Sequence, residues 1–279
     1  SVYEGLVQGI ERIFPREIGN AQEARGVSVS QAYLDGYART EYIGAPKSGY
    51  LLVADMDTLL DIAQRSDLVL TMHNRPGEFL TRGSKIITLK AKGAVDEDIS
   101  ERIGDCFIIG KHRTEEQDIE FPVCQLVEIA ARALSPGVND PYTAISCVNY
   151  LSAALCHLEN KEFPAKWLFD EDNKPRIETK GVTFTGVANA AFDQIRQYAR
   201  SDAAVTIKLL EALTVIAGQA RLPEHAKALG RQARMILNGS REGLPDPEDR
   251  QDVENRYMKF RQALSDNPRL ASQDTKAHI

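Results

Sequence analysis

The spacing of apolar residues changes once along the chain, and this change limits the folds that are available. Between residues 48 and 112, short β-like segments such as GYLLVAD and SKIITLK alternate with turns that contain Gly or Pro. After Arg113, apolar residues recur at helical spacing. The sequence therefore predicts an α+β fold, in which a small β-rich module (48–112) is followed by an α-helical bundle (113–265).

Gly, Pro and Asp or Asn residues divide the second part into segments and indicate where helices begin and end. The predicted helices are Glu115–Leu134, Pro141–Asn160, Val187–Arg200, Ala203–Ala220, Pro223–Asn238 and Pro247–Leu264. The charged, Pro-interrupted stretch from Glu159 to Lys180 predicts a long surface excursion around Trp167, with a short strand at Val182–Phe184. We expect a polar tail over residues 266–279.

Residues 1–47 are predicted to form an N-terminal amphipathic helix and a connector with an ill-defined element near Val29–Tyr42. Leu6, Ile10 and Phe14 recur every four residues, which is typical of a helix that packs on one face. Ser1 is not an initiator Met and begins no signal-peptide pattern, so we expect the chain to be a fragment of a longer protein.

Composition excludes some classes of function. A net charge of −6 and a mean hydropathy of −0.32 suit a soluble acidic protein and argue against a nucleic-acid partner. The four cysteines form no C-x-x-C pair, which favours reduced core cysteines.

The sequence lacks H-E-x-x-H, G-x-S-x-G, P-loop and G-x-G-x-x-G motifs, and its histidines lack ligand spacing, so we predict no metal and lean against an enzyme.

One hairpin in the β-rich module resembles a known turn. The stretch from Gly77 to Gly83 is similar to the G-D-x-V-x-x-G turn of biotinyl and lipoyl barrel-sandwich modules, where two glycines take positive φ. No acceptor-lysine tripeptide accompanies it. We therefore expect a barrel-sandwich-like shape without a cofactor.

The densest group of polar residues lies in RTEEQDIEFPVCQLVEIAARALSPGVNDPYTA, which begins at Arg113 and ends at Ala144. Its parts R-T-x-E-Q-D-x-E-F, Q-L-V-E-I-A, R-A-L-S-P-G and N-D-P-x-T-A resemble the bacterial predicted membrane protein family named domain of unknown function 2254. The resemblance covers residues 1 to about 265 and implies transmembrane helices ahead of this chain, a cell-membrane location and no assigned reaction. It also implies that the N-terminal helix is juxtamembrane.

Four acids near the start of the 115–134 helix allow two interpretations. Glu115, Glu116, Asp118 and Glu120 would suit the positive end of a helix dipole, or they would bind a hard cation. At 100° per residue, Ile119, Pro122, Leu126, Ile129 and Ala133 share one face of this helix.

Three candidate ligand-binding residues lie on the opposite face of the same helix: Gln125, Glu128 and Arg132. Either this face is solvated and Glu128 and Arg132 form an ordinary i,i+4 pair, or the face is covered and the three residues form a buried network.

The turn after this helix supplies two further candidates, Asn139 and Asp140. We expect Gly137 to take the left-handed conformation that ends a helix, and Asp140 with Pro141 to begin the next one. The alternative is an anion held by the N–H groups of Tyr142 and Thr143, although the Asp140 carboxylate would repel it.

Asp193 and Arg196, in the D-Q-I-R-Q-Y stretch that also resembles the family, are the last two candidates. They either complete the network of Gln125, Glu128 and Arg132 or lie on an exposed charged face. Two hypotheses for function result. The first is a non-catalytic binding, assembly or regulatory module, on the cytoplasmic side, that forms a homo-oligomer; the second is an enzyme or transport-associated site for an unspecified small anionic ligand around residues 125–140.

Overall fold

The computed structural model describes residues 2–14 and 29–270. It confirms the α+β class, because sheets and a large helical region both occur. The described residues divide into two compact units, which we call the helical unit (2–14, 122–162 and 183–270) and the sheet unit (29–121 and 163–182). Both units are discontinuous, since the chain enters each of them more than once.

The sheet unit contains eight strands and three short helices. Its elements are β1 (Arg39–Gly44), β2 (Gly49–Ala54), β3 (Val69–Met72), β4 (Phe79–Leu80), β5 (Lys85–Ala91), β6 (Phe107–Gly110), β7 (Trp167–Phe169) and β8 (Pro175–Glu178), with α2 (Gln31–Asp35), α3 (Met56–Arg65) and α4 (Glu97–Asp105). One sheet has the order β1-β5-β3-β8-β7 and the other β4-β2-β6. All pairs are antiparallel except β3 with β8. Apolar side chains such as Leu51, Leu70 and Ile87 form one core in this unit.

The helical unit contains the longer helices. They are α1 (Val2–Ile13), α5 (Glu120–Ala133, whose first two residues belong to the sheet unit), α6 (Pro141–Leu158), α7 (Phe184–Tyr198), α8 (Ala203–Gln219), α9 (Pro223–Gly243) and α10 (Pro247–Ser265). Asp140, Thr183 and Asp202 each accept a backbone N–H at the start of a helix, as good N-cap residues do. Helix α8 is buried along most of its length between α6, α9 and α10, and therefore forms the centre of the bundle.

The N-terminal helix packs as its spacing predicts. Leu6, Ile10 and Phe14 are almost completely buried, and α1 lies on α6. The rings of Tyr3 and Tyr150 stack at 4.8 Å. That α1 follows a membrane span stays a prediction, and the part of the predicted connector between residues 15 and 28 lies outside the described residues.

Several predicted elements are wrong. Residues 159–180 are not a surface excursion, because Trp167 is buried on β7 and β7 and β8 join the larger sheet. The expected strand at Val182–Phe184 is absent, since Thr183 caps α7 and Phe184 begins it. The ill-defined element near residue 29 is instead α2 followed by β1. Of the predicted tail, residues 271–279 lie outside the described part.

The two glycines of the 77–83 segment both take positive φ, +93° at Gly77 and +84° at Gly83, as predicted. The strands around them form two separate sheets, with no closure into a barrel among the described residues. The positive φ at both glycines is thus confirmed. The segment does not form a hairpin, because β4 pairs with β2 and β5 pairs with β1 and β3, and the barrel-sandwich arrangement is not confirmed.

Candidate functional site

The first half of the charged segment, residues 113–121, is tied to the turn at residues 74–78 within the sheet unit. Arg113 donates from Nε and Nη2 to Asp118 Oδ2 at 2.7 and 2.6 Å. Asp118 is 2% exposed, and its Oδ1 accepts the N–H of Glu120 at 3.1 Å. Burial raises the pKa of Asp118 above its ordinary value, although Arg113 opposes this effect.

Only glycine fits at position 77, for two reasons. Its φ of +93° strains any L side chain, and a Cβ there would lie 2.2 Å from Asp118 Oδ2. The absence of a side chain at Gly77 therefore creates the space that the Asp118 carboxylate occupies.

The neighbouring residues complete a set of internal pairs. Both carboxylate oxygens of Glu120 lie 2.8 Å from Arg75 Nη2, and Glu78 accepts from Lys180 Nζ at 2.9 Å. Gln117 Oε1 accepts the N–H of Ala54 at 3.0 Å. We call Arg75, Arg113, Asp118 and Glu120 the charged cluster; it holds the start of α5 to the turn at residues 74–78.

This geometry changes the interpretation of the four acids. Only Glu120 lies in the first turn of a helix, because α5 begins at Glu120, and Glu115, Glu116 and Asp118 precede it. Asp118 and Glu120 are each held by an arginine. No group of three or more potential metal ligands occurs within residues 2–14 and 29–270.

The polar residues in the second half of the segment, which begins at Pro122, are more exposed to solvent. On α5, Gln125 is half-buried, whereas Glu128 and Arg132 are exposed and take part in no salt bridge among the described residues. Ile129 was predicted to face the core but is 41% exposed. Leu126 and Ala133 are buried as expected.

The turn after α5 is held by different residues from those expected. Asn139, not Gly137, takes the left-handed conformation, with a φ of 50°. Asn is the residue after Gly that tolerates this conformation best, since its short side chain bonds locally. Asp140 accepts from the N–H and the hydroxyl of Thr143 at 3.1 and 2.5 Å, and these bonds lower the pKa of Asp140. Asp140 is therefore a helix cap.

Asp193 and Arg196 belong to a network at the crossing of α7 and α9. Gln232 is completely buried, and its Nε2 donates to Asn189 Oδ1 and Asp193 Oδ1 at 2.9 Å each. Arg196 Nη2 lies 3.3 Å from Asp193 Oδ1. Within the described residues, this network is joined to Gln125, Glu128 or Arg132 by no hydrogen bond or ion pair. Sequence reasoning missed Gln232, because nothing along the chain shows that α9 crosses α7.

A buried Glu–His pair was also missed. Glu159 ends α6 and is 0% exposed; its Oε2 accepts the N–H of Arg221 at 3.2 Å and lies 2.9 Å from His225 Nδ1. The ring of Phe184 stacks on that of His225 at 4.1 Å between centroids. Glu159 Oε1 has no hydrogen-bond partner among the described atoms. The two residues lie too far apart in sequence for any spacing rule to reveal the pair.

The fold places the chain in the α+β class. The charged residues Arg113, Asp118 and Glu120 of its sequence motif form ion pairs within the chain itself. The model of the family described as "Predicted membrane protein (DUF2254)" matches residues 3–215, and the chain belongs to this family. No helix within residues 2–14 and 29–270 has the length and apolar character needed to cross a bilayer.

The chain is similar to Uncharacterized protein Rv1290c of Mycobacterium tuberculosis and Uncharacterized protein Mb1321c of Mycobacterium bovis. Each is 31% identical to it over 210 residues. The match covers 74% of this chain and 40% of each relative, so the chain spans less than half the length of these relatives. No solved structure matches it.

Proposed function

We propose that the chain is a non-catalytic assembly module of a membrane protein, and that copies of it associate through the outer surface of α5. The observation that carries this proposal is the exposure of Ile129 (41%) on α5 and of Val138 (56%) and Tyr142 (80%) in the turn and helix start that follow it, together with the exposed charges of Glu128 and Arg132. We call these five residues the α5 surface. A mixed apolar and charged surface of this kind is typical of contacts between subunits.

The spacing of the charges suits a two-fold contact. Glu128 and Arg132 lie one helical turn apart on one side of α5, and Ile129 lies next to them around the helix. In an antiparallel pair of α5 helices, Glu128 would face Arg132 of the partner subunit while the two Ile129 side chains met at the axis. The contact would thus be self-complementary in charge.

A non-catalytic role is supported by the use of the other charged residues. The charged cluster is paired internally, and Asp140 occupies the helix start where an anion would bind. A cytoplasmic position is supported by the four free cysteines. The positive φ of Gly77 and Gly83 is the one feature that supports a local relation to barrel-sandwich modules.

A charge exchange tests the assembly. We expect Glu128→Arg and Arg132→Glu each to turn an oligomer into a monomer in sedimentation-velocity experiments, because each creates like charges across the contact. The double variant Glu128→Arg/Arg132→Glu should associate again. Asp252→Arg, at an exposed position on α10, makes the same change as Glu128→Arg and serves as the control.

Two results would contradict the proposal. One is a monomeric wild type at high micromolar concentration, and the other is an oligomer that none of the variants alters. The competing hypothesis of an anionic ligand bound by Gln125, Arg132 and Asn139 predicts a thermal shift with phosphate-bearing metabolites that Arg132→Ala abolishes.

A further inference from the structure

Three segments of the sheet unit carry basic charge and no acidic residue. Residues 44–52, 79–87 and 107–112 contain Lys47, Arg82, Lys85 and Lys111, and no Asp or Glu. The whole chain has a net charge of −6, so this local composition is opposite in sign to the rest of the protein. We call these four residues the basic rim.

The topology of the smaller sheet brings these segments together. β2 begins where β4 and β6 end, since Gly49 pairs with Leu80 and Tyr50 pairs with Gly110. Ser48 Oγ accepts the N–H of Arg82 at 2.9 Å, which joins two of the loops directly. A Cβ on Gly49 would lie 2.6 Å from the carbonyl oxygen of Gly110, so the third segment is equally close.

The side chains of the basic rim are available. All four are exposed, and none takes part in a salt bridge among the described residues. Lys85 Nζ lies 4.6 Å from the ring centre of Tyr42, which is itself 59% exposed. The rim therefore presents uncompensated positive charge.

The outer face of the same sheet is apolar. Phe79 is 56% exposed and Ile108 is 54% exposed, on the two outer strands. Tyr50 lies between them and contacts the Phe79 ring edge-on at 5.1 Å. Leu52 covers Gly110, where a Cβ would lie 2.5 Å from Leu52 Cδ1. Tyr50, Leu52, Phe79 and Ile108 thus form a continuous surface, which we call the apolar face.

We propose that the basic rim and the apolar face dock the sheet unit onto the surface of an anionic lipid bilayer. Lys and Arg side chains bind anionic headgroups, while aromatic and aliphatic side chains enter the boundary between headgroups and acyl chains. The acidic remainder of the chain is repelled by the same surface, which orients the docked unit. The family to which the chain belongs is described as predicted membrane proteins, which makes a bilayer a partner of the right chemistry for this surface. The proposal goes beyond assembly through the α5 surface, as it concerns the other unit and another partner.

Vesicle co-sedimentation tests the proposal with the whole chain. We expect the wild type to pellet with vesicles of phosphatidylcholine and phosphatidylglycerol and to stay in solution with phosphatidylcholine alone. Each basic residue near the surface contributes about fivefold, so Lys47→Ala/Arg82→Ala/Lys111→Ala should partition about 100-fold more weakly. Salt near 1 M, where the Debye length is about 3 Å, should release the wild type.

A matched control removes the same charge elsewhere. Lys227→Ala/Lys259→Ala/Arg261→Ala changes three exposed residues on α9 and α10, and it should pellet like the wild type or better. Phe79→Ser/Ile108→Ser should weaken binding to anionic vesicles at constant charge, because it removes the inserting side chains. All of these positions are exposed, and equal melting temperatures would confirm that each variant folds.

Three outcomes would overturn the proposal. The first is a wild type that pellets with neither kind of vesicle, and the second is equal pelleting with both. The third is binding that a short RNA duplex displaces at equal phosphate concentration and that Phe79→Ser/Ile108→Ser leaves unchanged; this result would assign the basic rim to nucleic acid.

Discussion

The two halves of the segment from Arg113 to Ala144 use their charges in opposite ways. In residues 113–121, Arg113, Asp118 and Glu120 pair their charges inside the sheet unit, and Asp118 is buried. Residues 128 and 132 of α5 extend their charges into solvent. A dense charged motif is therefore not in itself a binding site, because charges that already have a partner within the fold are not free to bind a ligand.

The largest effect should come from the enclosed carboxylate. Asp118→Ala removes the acceptor for Arg113 and for the Glu120 N–H and leaves a cavity beside Gly77. We expect a loss of about 3 kcal/mol in the free energy of unfolding, measured by urea denaturation. A loss as small as that of an exposed residue would show that the charges of residues 113–121 do not differ from those of Glu128 and Arg132 in this respect.

A smaller loss should follow from the second pair of the charged cluster. Arg75→Met keeps the aliphatic stem but removes both contacts with Glu120. Arg75 and Glu120 retain some exposure, so solvent would replace part of the interaction, and we expect a loss of about 1.5 kcal/mol. Arg65→Met, which breaks an exposed ion pair with Asp61, is the control and should change stability by less than about 0.5 kcal/mol.

The contributions of Asp118 and Asp140 to stability should change with pH in opposite directions. Burial raises the pKa of Asp118 above 3.8, so its contribution is present at low pH and is lost as the pH rises through the folded-state value. The difference in unfolding free energy between the wild type and Asp118→Asn should therefore fall as the pH rises from about 3.8. The pKa of Asp140 is lowered by its bonds to Thr143, so the corresponding difference for Asp140→Asn should be lost as the pH falls below 3.8. Slopes of the same sign would contradict this assignment.

The smallest effect on stability is expected for the exposed residues Glu128 and Arg132. Glu128→Ala and Arg132→Ala should each change the unfolding free energy of the monomer by less than about 0.5 kcal/mol, measured at a concentration below that of any association. A loss of several kcal/mol for Arg132→Ala would instead reveal a covered network and remove the basis of the α5 surface.

Local features of the fold were predictable wherever a residue type has few alternatives. The positive φ of Gly77 and Gly83 follows from the absence of a Cβ, and the start of α6 follows from Asp140 and Pro141. The burial of Leu6, Ile10 and Phe14 follows from a spacing of four.

The features that sequence could not predict all depend on distant partners. Residues 115–119 have helical composition but stay outside α5, because Gln117 and Asp118 bond to Ala54 and Arg113. Arg176 is buried between Asp170 and Asp67, which identifies residues 163–182 as part of a sheet and not of a surface loop. Asp193 and Arg196 are the two candidate site residues that form an ion pair with each other within the described ranges, and their third partner, Gln232, comes from another helix.

The parallel pairing of β3 with β8 has a consequence for synthesis of the protein. Leu70 and Ile177 are partners in the sheet, yet about a hundred residues separate them. A ribosome that adds about 5–20 residues per second needs roughly 5–20 s to produce β8 after β3. During that delay the V-L-T-M strand has an open edge, which another nascent chain could extend. Aggregation during translation, rather than instability of the finished fold, is therefore the hazard that this topology creates.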